Sequence, residues 1–230
     1  MSKPDHAKAV PALLKTLRRR YELPPVQPRD PVLELVYSFL IWECTTAKAD
    51  LALRRLLETV VDLNELRAAR ISSLVNALGK TYPMGDERAE RMHNALNDLF
   101  RREHALTLEK ALKKGKKDGR AYLESLEGIP PYVAARASLF ALGAHAVPVD
   151  SRLLSCLIAE GIFEESESIT HAQGILERYV NAAEAQEAHL LFQSWADEEA
   201  SGSGAARRPA ARARAAAGSP RVRTARAAKP

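Results

Sequence analysis

Asp150 stands directly before an apolar helical run that includes Leu153, Leu154 and Leu157, and its setting invites a chemical role. An acid at that place is also an expected helix N-cap, so a capping and a functional reading both stay open. Upstream, Leu123 to Glu127 ends one helix and Gly128-Ile129-Pro130 makes a tight turn. Pro131 then opens a second helix that closes near Gly143. Proline in a first helical turn and glycine past a helix end are the expected punctuation. Tyr132 lies in that first turn, as either a half-buried aromatic or a pocket residue. Before it, Lys113-Lys114-Gly115-Lys116-Lys117 reads as a basic loop, solvated or in contact with phosphate.

Other chemistries lack support. His6, His93, His104, His145, His171 and His189 show no paired-ligand spacing, so no metal site is expected. Cys44 and Cys156 are too few for a disulfide framework or a cysteine-ligated cluster. There is no phosphate-binding G-x-x-x-x-G-K-S/T loop and no G-x-S-x-G elbow. The net charge of +5 is misleading as a whole, because Ser201 to Pro230 alone carries seven arginines, one lysine and no acid. The rest of the chain is therefore slightly acidic. The tail is Ala-, Arg- and Pro-rich, and it is expected to be disordered. It is either a solvated end or a source of sequence-independent affinity for nucleic acid.

The elements that must position these residues are helical. Residues 8–20 place Val10, Leu13, Leu14 and Leu17 on one face. After a proline-rich connection, Val32 to about Cys44 is apolar around most of its circumference and belongs in the middle of a core. Further helices are expected over 48–61, 62–70, 71–78, 86–103 and 106–112, then 151–160, 169–181 and 183–198. No sustained period-two alternation calls for strands. The fold class is all-α. With no apolar run long enough to span a membrane and no signal-peptide core at the N-terminus, a cytoplasmic, nucleoid-associated address is expected.

The 123–156 stretch resembles the helix-hairpin-helix DNA glycosylase superfamily of endonuclease III. There a pattern like L-P-G-V-G-x-x-T-A precedes an apolar helix, then F-G, then V-D-T-H. Leu126, Gly128, Ile129, Ala134, Gly143, Val149 and Asp150 match it. Leu40 to Thr46 looks like the family's L-L-S-x-Q-x-T segment, and Ala188 to Phe192 falls where its late H-x-x-L-I-like helix would be. The resemblance implies a two-lobed all-α domain over residues 1–200, with its helix-hairpin-helix at about 119–143 and the basic tail over 201–230. It also implies a cleft that accepts a base swung out of double-stranded DNA, and a chain acting as a monomer.

Within that resemblance Asp150 is the catalytic aspartate, stabilising positive charge on the sugar and helping to activate the attacking group. Tyr132 replaces the lysine of bifunctional members, and a phenol cannot form a Schiff base. Gly128, Ile129 and Val133 fall on the phosphate-gripping hairpin, with Lys113, Lys114, Lys116, Lys117 and Arg152 as further DNA contacts. Glu43 and Cys44 fall at the base-pocket or wedge position. Pro130 stands where the second hairpin glycine would be, and it can neither take a positive φ nor donate an N–H. No cysteine follows Trp195, so no iron–sulfur cluster is expected; a monovalent cation on the hairpin carbonyls is the one cofactor considered. The expected function is hydrolytic, monofunctional removal of a damaged or mismatched base. The alternative is a non-catalytic DNA-binding or interaction module that relies on its tail. An open pocket with Asp150 at its mouth favours the first, and a filled cleft favours the second.

Overall fold

The computed structural model describes residues 5–23 and 25–202, so nearly all of the basic tail lies outside the described residues. Helix α1 (His6–Arg20) buries its Val10, Leu13, Leu14 and Leu17 face. Helix α2 (Pro31–Ile41) opens on Asp30, whose carboxylate accepts the Val32 and Leu33 amides at 2.9 and 3.1 Å, with Pro31 at the first helical position. It has no polar face, and Val32, Leu35, Val36, Phe39 and Leu40 are all buried.

Five helices follow α2 into one core: α3 (Thr46–Thr59), α4 (Leu63–Ala68), α5 (Ile71–Leu78), α6 (Gly85–Glu103) and α7 (Glu109–Lys113). Helix α8 (Lys116–Glu124) and the first turns of α9 (Pro131–Ala141) complete it. A second core gathers α1 with α10 (Ser151–Ala159), α11 (Ile169–Tyr179) and α12 (Ala185–Ala200). Helix α9 belongs to both: Val133 and Ala137 pack in the first core, Ala135 and Leu139 in the second. The fold is all-α and two-lobed, with no strand among the described residues. None of their helices is long and apolar enough to cross a membrane.

One expected element differs. The basic stretch is not a loop, because Lys113 ends α7 and Lys116 opens α8, leaving only Lys114 and Gly115 between them. Gly115, at φ +84°, lets the chain turn within that joint. Gly119, a loop residue by composition, lies inside α8. A Cβ there would sit 2.6 Å from the Ala111 carbonyl, so close packing of α8 on α7 requires glycine.

The end of α2 depends on one buried cation. Arg88 of α6 is fully buried and donates to the carbonyls of Phe39, Leu40, Trp42 and Pro83. A helix leaves its last carbonyls without intrahelical partners, and here one guanidinium satisfies several of them. Arg88→Met would take that partner from the Phe39, Trp42 and Pro83 oxygens, while the Leu40 oxygen keeps the Tyr82 hydroxyl at 2.6 Å. We expect urea denaturation to show a loss of about 3 kcal/mol in unfolding free energy.

Candidate active site between the lobes

The buried crossover Val147 and Val149 delivers Asp150 to the start of α10. Its Oδ1 accepts the Leu153 amide at 2.9 Å, so the capping role is real. The side chain is 3% exposed, and Oδ2 meets no donor in hydrogen-bond geometry, although the Glu43 amide lies near enough to favour the charged form. Burial pushes the carboxyl from its ordinary 3.8 up to about 6, and the charge of Glu43 pushes the same way against the pull of the Leu153 amide. The void beside it holds only about 10 Å³, walled by Tyr132, His189, Phe192 and Gln193. Tyr132 is buried and its hydroxyl reaches Gln193 Oε1 at 3.4 Å. Burial and the Asp150 charge raise its phenol well above the ordinary range, so it stays protonated.

The mouth of this void is tied across the lobes. Glu43 has φ +51° and turns its carboxylate onto the Ser151 amide at 2.8 Å and the Ser151 hydroxyl at 2.5 Å. It therefore caps α10 rather than facing DNA phosphates, since a helix N-terminus favours an anion. The Cys44 thiol is buried, and its carbonyl accepts from Arg152 and, at 3.1 Å, from Gln193 Nε2. Arg152 also holds Asp197 at 2.7 Å, and Asp197 accepts the Thr46 amide at 2.9 Å. The structure thus uses Arg152 internally and gives Cys44 no projecting wedge.

The hairpin keeps part of its expected equipment. Gly128 takes φ +76°. Its carbonyl, one that a hairpin cation would need, accepts from Arg91 at 3.1 Å. Ile129 donates its amide to Leu126 at 3.3 Å. Pro130 sits at φ −72°, so this turn does not ask its second position for a positive φ. No side chain caps α9, which leaves the Tyr132 and Val133 amides without an intrahelical partner, and both residues are buried.

Lys113, Lys114, Lys116 and Lys117 are not at this tip. Helix α8 runs about 12 Å from Lys116 to the turn, and Lys116 Nζ lies 4.0 Å from where a Gly143 Cβ would be. Lys113 pairs with Glu109 at 2.9 Å. Helix α6 brings Arg91, Arg101 and Arg102 to the hairpin instead: Arg101 meets Glu127 at 2.5 Å, and Arg102 reaches the Ser125 carbonyl at 2.7 Å. The signal was available, because Arg91 and Arg102 are three helical turns apart and share a face.

Across His189 and Gln193 lies a larger cavity of about 510 Å³, between α2, α12 and residues 25–29. Arg136 forms a buried pair with Glu34 in its wall and donates to Ser38 Oγ at 3.0 Å. Arg29 reaches the same Glu34 at 3.2 Å. Tyr37 donates to Asp50 at 2.7 Å. His189 is buried with neither ring nitrogen partnered, and burial together with the Arg136 charge holds it neutral, well below its ordinary pKa. Its role as a cavity wall was not legible in a sequence where it marked only a motif. Among the described residues, no group of three or more His, Cys, Asp or Glu is placed to hold a metal ion.

The sequence matches no protein-family model and no curated protein. Its structure matches that of endonuclease III trapped as a covalent intermediate with DNA, at TM-score 0.65 and 16% identity, over 82% of this chain and 85% of that one. A Clostridium acetobutylicum 8-oxoguanine glycosylase/lyase in complex with DNA gives TM-score 0.66 and 15% identity, covering 85% of this chain and 70% of that one. An H. pylori 3-methyladenine DNA glycosylase bound to 1,N6-ethenoadenine gives 0.64 and 15%, covering 85% and 98%. This is the endonuclease III-like, helix-hairpin-helix glycosylase fold.

On this glycosylase fold the Asp150 carboxyl carries a measurable cost. Between about pH 4 and about pH 6 the native group keeps its proton while the unfolded one has lost it, so its contribution to stability falls as pH rises through that window. Asp150→Asn keeps a capping oxygen without the buried charge. We expect the variant to be more stable than the parent at pH 7 by about 2–3 kcal/mol, the difference closing near pH 4. Urea denaturation of both proteins across that range measures it.

Proposed function

We propose that the chain is a monofunctional DNA glycosylase that removes a base by hydrolysis. The observation that carries this reading is Asp150: a buried carboxylate with one unpartnered oxygen, separated only by His189 and Gln193 from a base-sized cavity. As the bond between sugar and base lengthens, positive charge develops on the sugar and the carboxylate stabilises it. Water adds to that carbon, Asp150 accepts its proton, and the base leaves with the electrons of the broken bond. Tyr132 keeps its proton and forms no imine, so no covalent sugar–enzyme link and no lyase step follow.

Double-stranded DNA is the partner this reading requires. Arg91, Arg101 and Arg102, which α6 sets beside the hairpin turn, suit phosphate groups. A flipped nucleotide would enter as the Glu43–Ser151 and Arg152–Cys44 contacts part.

A second reading has its own observation. The void at Asp150 is too small for a base, and hydrogen bonds between Glu43 and Ser151 and between Gln193 and Cys44 tie the lobes together near it. A non-catalytic DNA-binding module would look the same.

Single-turnover assays separate the two. The substrates are duplexes carrying uracil, mismatched thymine, oxidised purines or alkylated adenine. We expect base release that Asp150→Asn lowers by at least about a thousandfold, strand scission only after alkali, and no borohydride-trapped adduct. Absence of release from every duplex, with binding that disappears when residues 203–230 are removed, would establish the binding module instead.

A further inference from the structure

A separate groove of about 480 Å³ lies between α8, α11 and the start of α9, beside the hairpin turn. Ile129, Pro131 and Ala134 supply its apolar lining. From α11 it takes Thr170, Gln173, Gly174 and Glu177, which share one helical face. Glycine inside a helix is less stable than alanine, and it serves where another chain or a ligand comes close. A Cβ at Gly174 would meet no atom within 4 Å outside its own helix, so packing within the domain does not require glycine there.

The charge of the lining favours a cation. Glu124 and Glu177 share one guanidinium, that of Arg120, at 2.8 and 3.0 Å. Arg120, the Gln173 amide at 2.9 Å and the Val147 backbone at 3.3 Å all donate to Glu177 Oε1. Among the described residues no hydrogen bond reaches Oε2 of either carboxylate. Two carboxylates against one guanidinium leave the lining negative, which disfavours phosphate. The chain carries the matching cation itself. From Asp150 to Glu199, the segment of α10, α11 and α12, there are eleven acids and two arginines, whereas residues 203–230 hold seven arginines, one lysine and no acid. Helix α1 neutralises Glu184, Glu187 and Glu198 through Arg18 and Arg20, and Glu177 is not among its partners. The 28 residues after Gly202 span at most about 90 Å. A domain of this size has a radius of gyration of about 16 Å, so the groove is within their reach.

We propose that this groove is the docking site of the chain's own basic tail, holding an arginine stem against Ile129, Pro131 and Ala134 and its guanidinium between Glu124 and Glu177. Arginine suits it because its methylenes cover apolar surface while its planar head pairs with carboxylates. A docked arginine cannot hold a DNA phosphate at the same time, so docking withholds the tail from nucleic acid. Docking requires no glycosylase activity.

The experiment uses the full chain with Ala216→Cys carrying a nitroxide label. Cys44 and Cys156 are buried, so the label goes to the tail. We expect the Ile129, Thr170 and Gln173 amide signals to be lost from the nuclear magnetic resonance spectrum and to return when the nitroxide is reduced. At about 1 M salt, where the screening length is about 3 Å, the loss should disappear. Gly174→Leu fills the groove and should abolish the loss at low salt, whereas Gly174→Ala should keep it. Should the leucine variant fail to fold, the salt dependence of the parent still decides. A loss that survives Gly174→Leu or high salt, that falls on Glu164 and Glu165 instead, or that is absent altogether would overturn the proposal. So would a loss in isotope-labelled chain mixed with separately spin-labelled chain, because the occupant would then be the tail of a second copy.

Discussion

The crossing of α2 and α9 sets the terms for everything else, and at its centre is a charge out of water. Arg136 and Glu34 are both almost fully buried and face each other from the two helices. Such a pair contributes little net stability over a hydrophobic one, but removing either partner leaves an uncompensated buried charge. It therefore fixes register: α9 can slide or rotate on α2 only by breaking it. That register carries Tyr132, one turn before Arg136, to the Asp150 void and places Arg136 itself in the wall of the large cavity. Arg29 and Ser38 complete the pairing, so the connection before α2 is tied to the same point.

Much of this architecture was legible because its physics is local. The apolar circumference of the helix after Val32, the Asp150 cap and the Pro131 helix start all depend on neighbouring residues, and the structure has each of them, with the first helix ending at Ile41 rather than near Cys44. The lysine stretch reads as a loop because its composition favours one. Its helical state depends on α8 packing onto α7 through Gly119, a contact between segments. The candidate site divides in the same way. Asp150 and Tyr132 stand out by spacing and resemblance, and the structure brings both to one void.

Residues whose role is set by a distant partner were not legible. Glu43 and Arg152 read as groups free to meet DNA, yet their partners are Ser151, Cys44 and Asp197, the first two more than a hundred positions away along the chain. His189 reads as an ordinary helical residue until the burial of α12 leaves its ring nitrogens without partners. Arg91 and Arg102 of α6 share a helix face with Arg101 at its edge, but only the fold shows that the hairpin lies against it.

The hydrogen bonds across the mouth at Glu43, Cys44 and Thr46 also turn affinity into a question of populations. A ligand that must reach Asp150 meets only those molecules in which the mouth has parted, and its apparent dissociation constant rises by the inverse of that fraction. If closure is favoured by about 3 kcal/mol, the weakening is about a hundredfold, with the intrinsic contacts unchanged. Access to Asp150 then becomes a quantity adjustable apart from the contacts the site offers, set by how often a few side chains let go.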